Sequence, residues 1–178
     1  PDGNNLKVTG EGIDPDGIIT LDNNKTLNDR QQSSLLRLCR AAILNNEGHL
    51  VHLNSNWTSQ GDAVDVALLG MAHKTGLIKE NIIADYPEIE TIPFESEHMY
   101  SATLNIVESK KILFVKGAPE KILTMCSKAM MPNRDIAFDK KAVEEQAKMM
   151  AKQSYRVLAL AEGQINIPKG ELISQEYL

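Results

Sequence analysis

Aromatic residues, cysteines and long hydrophobic runs are all scarce in this chain. Of its 178 residues, 4% are Phe, Trp or Tyr, and two are cysteine. Cys39 and Cys126 each lie in a segment with the pattern of an apolar helix face, so we expect reduced, buried thiols in a cytosolic setting, with a disulfide between them as the less favoured alternative. No run approaches the roughly twenty apolar residues that cross a bilayer. The composition therefore predicts a soluble globular domain.

Positively charged residues are also fewer than negatively charged ones. The chain has 19 Lys and Arg residues against 24 Asp and Glu, which makes its net charge -5. Proteins that bind nucleic acid usually carry a basic surface, so nucleic acid is not an expected partner. The chain begins at Pro1 with neither an initiator methionine nor a signal peptide, and we expect it to be part of a longer protein.

The common catalytic and metal-binding signatures are absent from the sequence. It contains no Gly-x-x-x-x-Gly-Lys-Ser/Thr loop, no Gly-x-Gly-x-x-Gly turn and no Gly-x-Ser-x-Gly elbow. Its four histidines lack helical metal-ligand spacing, and Asp14 with Asp16 lacks the remaining ligands of a calcium loop, which favours a plain turn. The sequence therefore predicts neither catalytic residues nor a metal site.

Hydrophobic periodicity predicts two long helices in the first half of the chain. Asn28 and Gln31 resemble a capping box, and apolar residues then recur at helical spacing, which predicts a helix over roughly residues 28–46. A second helix is expected to begin near residues 59–60 and to end at Gly76.

Strands dominate the prediction for the second half. Tyr100–Ile106 alternates between apolar and polar residues, as a half-buried strand does. Ser109–Lys110 is predicted to turn the chain into Ile112–Val115, a continuous apolar run typical of a central strand. Arg156–Ala161 is predicted to be the last strand.

Two further helices are expected between these strands. Pro119 suits the first turn of a short helix, and Asp139 is predicted to cap a longer one. The longer helix is expected to turn four residues inward: Val143, Ala147, Met150 and Ala151.

Strands linked by hairpins, with helices interspersed, predict an α/β (α+β) fold: a mostly antiparallel twisted sheet flanked by helices. The sequence suggests three parts. Residues 1–26 are read as a polar arm, residues 27–162 as the domain itself, and residues 163–178 as a tail without a firm pattern.

Three predicted strand ends carry residues suited to a flat anionic ligand. Phe94 opens Phe-Glu-Ser-Glu, Lys116 precedes Gly117 at the end of an apolar strand, and Arg156 opens the last strand. The cation and the bare backbone at the Lys116–Gly117 strand end suit a flat anionic ligand such as a nucleotide.

These residues lie in motifs that resemble the nucleotide-binding (N) domain of P-type cation-transporting ATPases. Lys116-Gly-Ala-Pro-Glu120 is a hallmark of that family, and Gly61–Leu68 resembles the start of one of its helices. Ile92–Glu97 and Arg156–Ala161 resemble two further motifs, in family order. Residues 8–17, with Val8-Thr-Gly-Glu-Gly12, look like the connection that bacterial calcium-type pumps place after their phosphorylation motif.

The resemblance implies roles for particular residues. In similar domains the matching phenylalanine stacks on adenine, which implies that role for Phe94, and Lys116 would line the deep end of the pocket. Gly117 would leave room for the ring beside the backbone. Asp65 matches an acidic residue that accepts a hydrogen bond from the adenine amino group, and Arg156 matches an arginine that reaches toward the phosphates. Two more residues would flank the base or ribose: Glu95 and Ser96.

Two positions depart from the family pattern. Met99 stands where many relatives have a phosphate-holding lysine, and the adjacent His98 carries at most a partial charge near neutral pH. Val64 replaces the usual threonine.

The resemblance implies that the chain binds ATP, as Mg-ATP, or ADP, as one domain of a membrane pump. It would present ATP to a phosphorylation domain, whose aspartate attacks the γ-phosphate, and would also work with an actuator domain. Because the Asp-Lys-Thr-Gly-Thr motif is absent, the isolated chain is expected to be a monomer that binds nucleotide without hydrolysing it. The parent would lie in the cell membrane with this domain on its cytoplasmic side.

Two alternatives remain open at this point. The chain could be a degenerate N domain that acts as a regulatory or protein-interaction module, which Met99 and Val64 favour. It could also be a free-standing nucleotide-dependent enzyme, which would need a catalytic constellation that the sequence does not display.

Overall fold

A computed structural model describes residues 5–54, 56–130, 137–168 and 173. The chain divides into two compact units, the first comprising Pro1–Asp85 and Met130–Arg134 and the second Tyr86–Ala129 and Asp135–Leu178. Across the described residues, no helix has the length and apolarity required to span a membrane.

The elements of the first unit are, in chain order, β1 (Leu6–Val8), β2 (Ile19–Leu21), α1 (Asp29–Leu44), β3 (His49–Leu53), β4 (Asn56–Gln60), α2 (Ala63–His73) and α3 (Lys79–Asp85). Those of the second are β5 (Glu88–Glu95), β6 (Tyr100–Val107), β7 (Lys110–Gly117), α4 (Pro119–Met125), α5 (Lys140–Lys152) and β8 (Ala159–Gln164). The strand pairings of the described residues are all antiparallel: β1 with β2, β3 with β4, and a four-stranded sheet in the order β5-β6-β7-β8. The predicted fold class, helices with mostly antiparallel sheet, is confirmed.

The first unit is built around helix α1, which forms as predicted. The backbone N–H of Gln31 donates to the side chain of Asn28, and the N–H of Asn28 donates to the side chain of Gln31, both at 3.0 Å. This capping box satisfies donors that the helix start would otherwise leave unpaired. The apolar stripe of α1 forms a hydrophobic core with β3 and α2, made of Leu35, Cys39, Ile43, Leu50, Leu69 and Ala72.

Cys39 is fully buried in that core, as the sequence predicts. Burial raises the pKa of its thiol to about 11, and a hydrogen bond with Thr75 partly opposes this shift. Cys126 is half-buried and also has a raised pKa, first because of burial. Both cysteines are free thiols.

The arm is fastened to the first unit. Leu6, Ile13 and Ile19 pack against its hydrophobic core. The ammonium group of Lys74, at the end of α2, donates to the carbonyl oxygens of Asp14 and Asp16 at 3.0 and 2.7 Å. The borders predicted at 26/27 and 162/163 stay predictions.

Helix α2 begins later than the sequence suggests. Residues 59–60 were expected to start it, but they belong to β4, which pairs with β3 in the register His49↔Gln60. Gly61 ends the strand at φ 111°, and the side chain of Asp62 then caps the helix by accepting from Val64 N–H at 2.8 Å. The helical pattern of the residues that follow did not reveal this hairpin pairing.

The second unit holds the four-stranded sheet. Its β6–β7 turn lies at Glu108 and Ser109, which have φ values of 49° and 66°. Lys110, predicted as part of the turn, is the first residue of β7 instead and pairs with Val107. Two consecutive left-handed residues match the right-handed twist of a tight hairpin.

The hydrophobic core of the second unit lies on one face of this sheet. It consists of Tyr100, Ala102, Leu104, Leu113, Val115, Ile122, Ile167 and Ile173. Strand β6 was expected to be half-buried, but its polar residues Ser101, Thr103 and Asn105 are buried as well. Burial of a polar face depends on tertiary packing, so alternation along the strand alone could not predict it.

Helix α5 is capped by Asp139 as predicted, and its side chain accepts from the N–H groups of Lys141 and Ala142. The prediction that its apolar residues point inward is wrong. None of the α5 residues is buried, and Val143 and Met150 are 40% and 41% exposed.

The last strand also begins later than predicted. Arg156 was expected to open it, but pairing with β7 begins at Ala159, opposite Gly117. Helix α5 ends in this segment, where Ser154 adopts φ 67° and Tyr155 N–H donates to the carbonyl oxygen of Met150. Arg156 therefore lies in the connection that leads into β8.

Candidate functional site

One end of the four-stranded sheet brings together most of the residues that the sequence singled out. The register aligns Glu95 with Tyr100, Tyr100 with Gly117, and Gly117 with Ala159. This row crosses all four strands, about 14 Å at the usual strand spacing. Phe94 precedes Glu95, Lys116 precedes Gly117, and Arg156 lies three residues before Ala159.

The strand register also assigns faces to these side chains. Val115 lies in the hydrophobic core, so the adjacent Lys116 points to the opposite face, with its pairing partner Ser101. Glu95 pairs with the core residue Tyr100 and shares its face. The register shifts by one residue just before Glu95, so that two residues of β5, the second of them Phe94, oppose Ser101 and share the face of Lys116.

Phe94 and Lys116 differ in their exposure. The ring of Phe94 is 57% exposed, although a phenylalanine usually buries its apolar surface. Lys116 is half-buried and already engaged with other groups of the protein. The two residues lie on strands separated by β6, about 10 Å apart at the usual strand spacing.

Gly117 has a structural reason to be glycine. A Cβ atom there would lie 2.7 Å from the Cβ of Tyr100 and would also clash with the carbonyl oxygen of Met99. That same carbonyl accepts a hydrogen bond from Ala118 N–H at 3.0 Å. The space beside Gly117 is therefore filled by the β5–β6 turn, and its role beside a ligand ring stays a prediction.

Glu95 and Ser96 lie in this turn, which we call the Phe94 turn (residues 95–99). The N–H groups of His98 and Met99 both donate to the carbonyl oxygen of Glu95, at 3.0 and 2.8 Å. The carboxylate of Glu95 lies 3.6 Å from the imidazole of His98. Glu95 thus holds the turn and faces away from Lys116, while Ser96 is exposed.

Tyr100 is buried beside the Phe94 turn. Burial raises the pKa of its hydroxyl, and the negative charge of Glu95 adds to the shift. The ammonium group of Lys121 lies 5.8 Å from the centre of the Tyr100 ring. The side of the sheet end that faces away from Phe94 therefore carries a separate polar cluster.

Arg156 is exposed in the connection between α5 and β8. It lies at the β8 edge of the sheet end, whereas Phe94 lies at the β5 edge. A guanidinium there is available to solvent anions, because its planar fork suits oxyanions.

Asp65 belongs to the first unit and is 8% exposed. Its carboxylate accepts a hydrogen bond from Glu47 N–H at 3.0 Å, and its carbonyl oxygen accepts one from the Asn46 side chain at 3.0 Å. Asp65 thus pins the loop that follows α1. Its predicted contact with adenine stays a prediction.

No motif in the sequence predicts the contacts that hold this loop. The ammonium group of Lys79 donates to the carbonyl oxygens of Asn46 and Gly48, both at 2.7 Å. A Cβ atom at Gly61 would lie 2.8 Å from the Cα of Gly48, so the two backbones touch. In the sequence, this loop is marked only by the polar residues and the glycine of Asn46–Gly48. Ordinary turns have the same composition, so it does not distinguish this loop from them.

The described residues contain no group of three or more His, Cys, Asp or Glu side chains placed to hold a metal ion. The cations and the exposed ring at the sheet end are suited to binding rather than to bond cleavage.

A protein-family model described as "P-type ATPase, cytoplasmic domain N" matches residues 34–176. The cation-transporting ATPase pma1 of Synechocystis sp. is 30% identical over 164 residues, which make up 89% of this chain and 18% of that protein. The probable cation-transporting ATPase F of Mycobacterium tuberculosis and the calcium-transporting ATPase of Bacillus subtilis are each 28% identical, with the same coverage. The chain thus spans 18% of the length of these relatives.

Proposed function

The chain belongs to the family of the P-type ATPase cytoplasmic N domain, and on this premise we propose that it binds ATP at the end of its four-stranded sheet. The observation that carries the proposal is the register, which brings Phe94 and Lys116 to one face of that end, with Arg156 near its far edge. Each residue supplies a different part of nucleotide recognition.

The base would stack on Phe94. An exposed aromatic ring is a stacking surface, and stacking on a base contributes about 1–3 kcal/mol. The phenylalanine is 57% exposed, so it is available without rearrangement of the core. Lys116, on the same face, would close the inner end of the base site.

The phosphates would extend toward Arg156, at the opposite edge of the sheet end. A guanidinium makes two parallel hydrogen bonds to an oxyanion, which a neutral side chain cannot match. The free energy gained from one stacked ring and a few polar contacts must exceed the cost of association. We therefore expect a dissociation constant on the order of 0.1 to several mM. ADP would occupy the same site.

In the longer protein, this domain would present Mg-ATP to a phosphorylation domain for transfer to an aspartate, which drives cation transport. The phosphorylation and actuator domains would be its partners, the protein would lie in the cell membrane, and this domain would face the cytoplasm. The chain alone is expected to bind ATP or ADP without hydrolysis, because the sequence lacks the phosphorylated-aspartate motif. Clear phosphate release by the pure chain would contradict this.

The proposal is tested by titrating the isotope-labelled chain with ATP and following amide NMR shifts. Phe94, Lys116 and Gly117 should shift most within the second unit. A Phe94→Ala variant should bind about tenfold or more weakly, since it loses the stacking surface.

A matched control is Leu53→Ala, because Leu53 is also 57% exposed but lies in β3 of the first unit. Its ATP affinity should equal that of the unmodified chain. If Phe94→Ala binds ATP as tightly as this control, the base site is not at Phe94. Complete absence of ATP binding would instead favour the degenerate regulatory or interaction module.

A further inference from the structure

The loop between β1 and β2, which we call the arm loop (residues 9–18), is closed at its base by Thr9 and Ile18. Thr9 N–H donates to the carbonyl oxygen of Ile18, and Ile18 N–H donates to the Thr9 hydroxyl, both at 3.0 Å. Within the loop, Asp16 N–H donates to the Asp14 carboxylate at 2.8 Å. The arm loop therefore has a defined conformation of its own.

The ammonium group of Lys74 holds this loop to the end of helix α2. It donates to the carbonyl oxygens of Asp14 and Asp16, at 3.0 and 2.7 Å. Gly10 leaves room for it, because a Cβ atom there would lie 2.9 Å from the Lys74 nitrogen and would clash with the carbonyl oxygen of Asp16. The loop also carries three carboxylates, those of Glu11, Asp14 and Asp16, so its charge favours an ammonium beside it.

Apolar packing of the arm loop is slight. The structure describes all of its residues, and none of them is buried. Ile13 packs against the core of the first unit with a partly buried side chain, whereas Ile18 is 61% exposed. Segments with few buried apolar contacts and exposed hydrogen bonds open at a lower free energy than the core does. The charged contact with Lys74 is therefore a large part of what keeps the loop closed.

We propose that the arm loop opens and closes locally on the first unit, and that Lys74 holds it in the closed form. The strands on either side stay in place, since Leu6 and Ile19 pack against the hydrophobic core. The inference does not depend on nucleotide binding. In the longer protein the arm is the expected connection toward the phosphorylation domain, so opening of the loop would make that connection less stiff.

Ionic strength should shift this equilibrium. The hydrogen bonds of Lys74 to the loop are exposed to solvent. Salt shortens the range over which exposed charges attract each other, from about 10 Å in about 0.1 M salt to about 3 Å in about 1 M salt. The closed form is therefore favoured at low salt, and the loop opens more often as the salt concentration rises.

Amide hydrogen exchange of the 178-residue chain, followed by NMR, tests the proposal. The amides to follow are those of Thr9, Asp16 and Ile18, which are hydrogen-bonded in the closed loop. In Lys74→Met they should exchange about 3- to 30-fold faster, the effect of losing two charged hydrogen bonds at an exposed place. Added salt should speed their exchange, relative to the amides of α1, in the unmodified chain but not in this variant.

Lys79→Met is the matched control. The ammonium group of Lys79 also donates to two carbonyl oxygens, those of Asn46 and Gly48, but these belong to the loop that follows α1. Its loss should leave exchange in the arm loop unchanged.

A second pair of variants approaches the contact from the loop. Gly10→Ala should open the loop, because the added methyl group meets the Asp16 carbonyl and the Lys74 nitrogen. Gly12→Ala is its control, since Gly12 also has a positive φ but nothing lies within 4 Å of its Cβ position. Exchange of the loop amides should therefore be faster in Gly10→Ala than in Gly12→Ala.

Three results would overturn the proposal. Unchanged exchange of the loop amides in Lys74→Met would show that the lysine does not hold the loop. Loop amides that exchange no faster than those of α1 in the unmodified chain would show that the loop opens only with the whole unit. Faster exchange throughout α1 and α2 in Lys74→Met would show that the lysine stabilises the unit as a whole.

Discussion

Gly117 packs directly against Tyr100, since a Cβ atom at position 117 would lie 2.7 Å from the Cβ of Tyr100. Gly117 ends β7 and Tyr100 begins β6, and the two form one pair of the sheet register. The glycine of Lys116-Gly-Ala-Pro-Glu120 is therefore required by the packing of the sheet end, whether or not a ligand is bound.

The first prediction concerns this packing. Gly117→Ala should lower the free energy of unfolding by about 1–3 kcal/mol, the usual cost of overpacking, because the backbone of residues 99–100 must move. Urea denaturation followed by circular dichroism measures the change. Gly163→Ala is the matched control, since nothing lies within 4 Å of a Cβ at Gly163, and it should be close to neutral. Unchanged stability of Gly117→Ala together with weaker ATP binding would instead assign the glycine to the ligand.

The second prediction concerns the loop pinned by Asp65. Asp65→Ala should destabilise the chain by about 1–3 kcal/mol, because Glu47 N–H loses its acceptor in a part-buried place. Asp65→Asn keeps an acceptor oxygen and should cost less. Asp22→Ala, an exposed aspartate of the arm, is the control and should leave the urea midpoint in place. If Asp65 also contacts adenine, Asp65→Asn will reduce the preference for ATP over inosine triphosphate, which lacks the amino group.

The third prediction concerns phosphate binding. Arg156→Ala should raise the dissociation constant for ATP about 5- to 30-fold, since a charged hydrogen bond is worth about 1–2 kcal/mol at an exposed site, and it should leave adenosine binding unchanged. Arg30→Ala removes an arginine of α1 that is also exposed, and it is the control for net charge. Equal losses in both variants would mean that general charge, and not Arg156, attracts the phosphates.

The fourth prediction concerns stability at alkaline pH. Burial raises the pKa of Cys39 from 9.0 to about 11, so the folded chain keeps its proton while the unfolded chain releases it. Stability from this group is complete below pH 9 and is lost as the pH rises toward about 11, by up to about 2–3 kcal/mol. The Cys39→Ala variant has no thiol at this position and does not lose this stability. The difference in free energy of unfolding between the unmodified chain and the variant should therefore shrink between about pH 8 and pH 10.5 in urea titrations. A constant gap would contradict the raised pKa.

Local signals predicted much of the fold. The capping box at Asn28, the proline at the start of α4 and the cap at Asp139 are interactions within one turn of helix, so the residues that make them are visible in the sequence. Pairings between strands were less visible in the sequence. The β3–β4 hairpin displaced the predicted start of α2, and the register with Gly117 moved the start of β8 to Ala159.

By itself, the sequence determined which chemical groups are available: Phe94, Lys116, Gly117 and Arg156, each within a motif that can be read along the chain. The tertiary structure decided how they are arranged. The register places Phe94 and Lys116 on one face and turns Glu95 to the other. Packing alone accounts for the glycine at position 117, and the Asp65 carboxylate is used to hold the loop that follows α1. The reason is physical: residue type and local spacing set helix caps and strand alternation, whereas a strand's face, register and burial depend on partners far away in the chain.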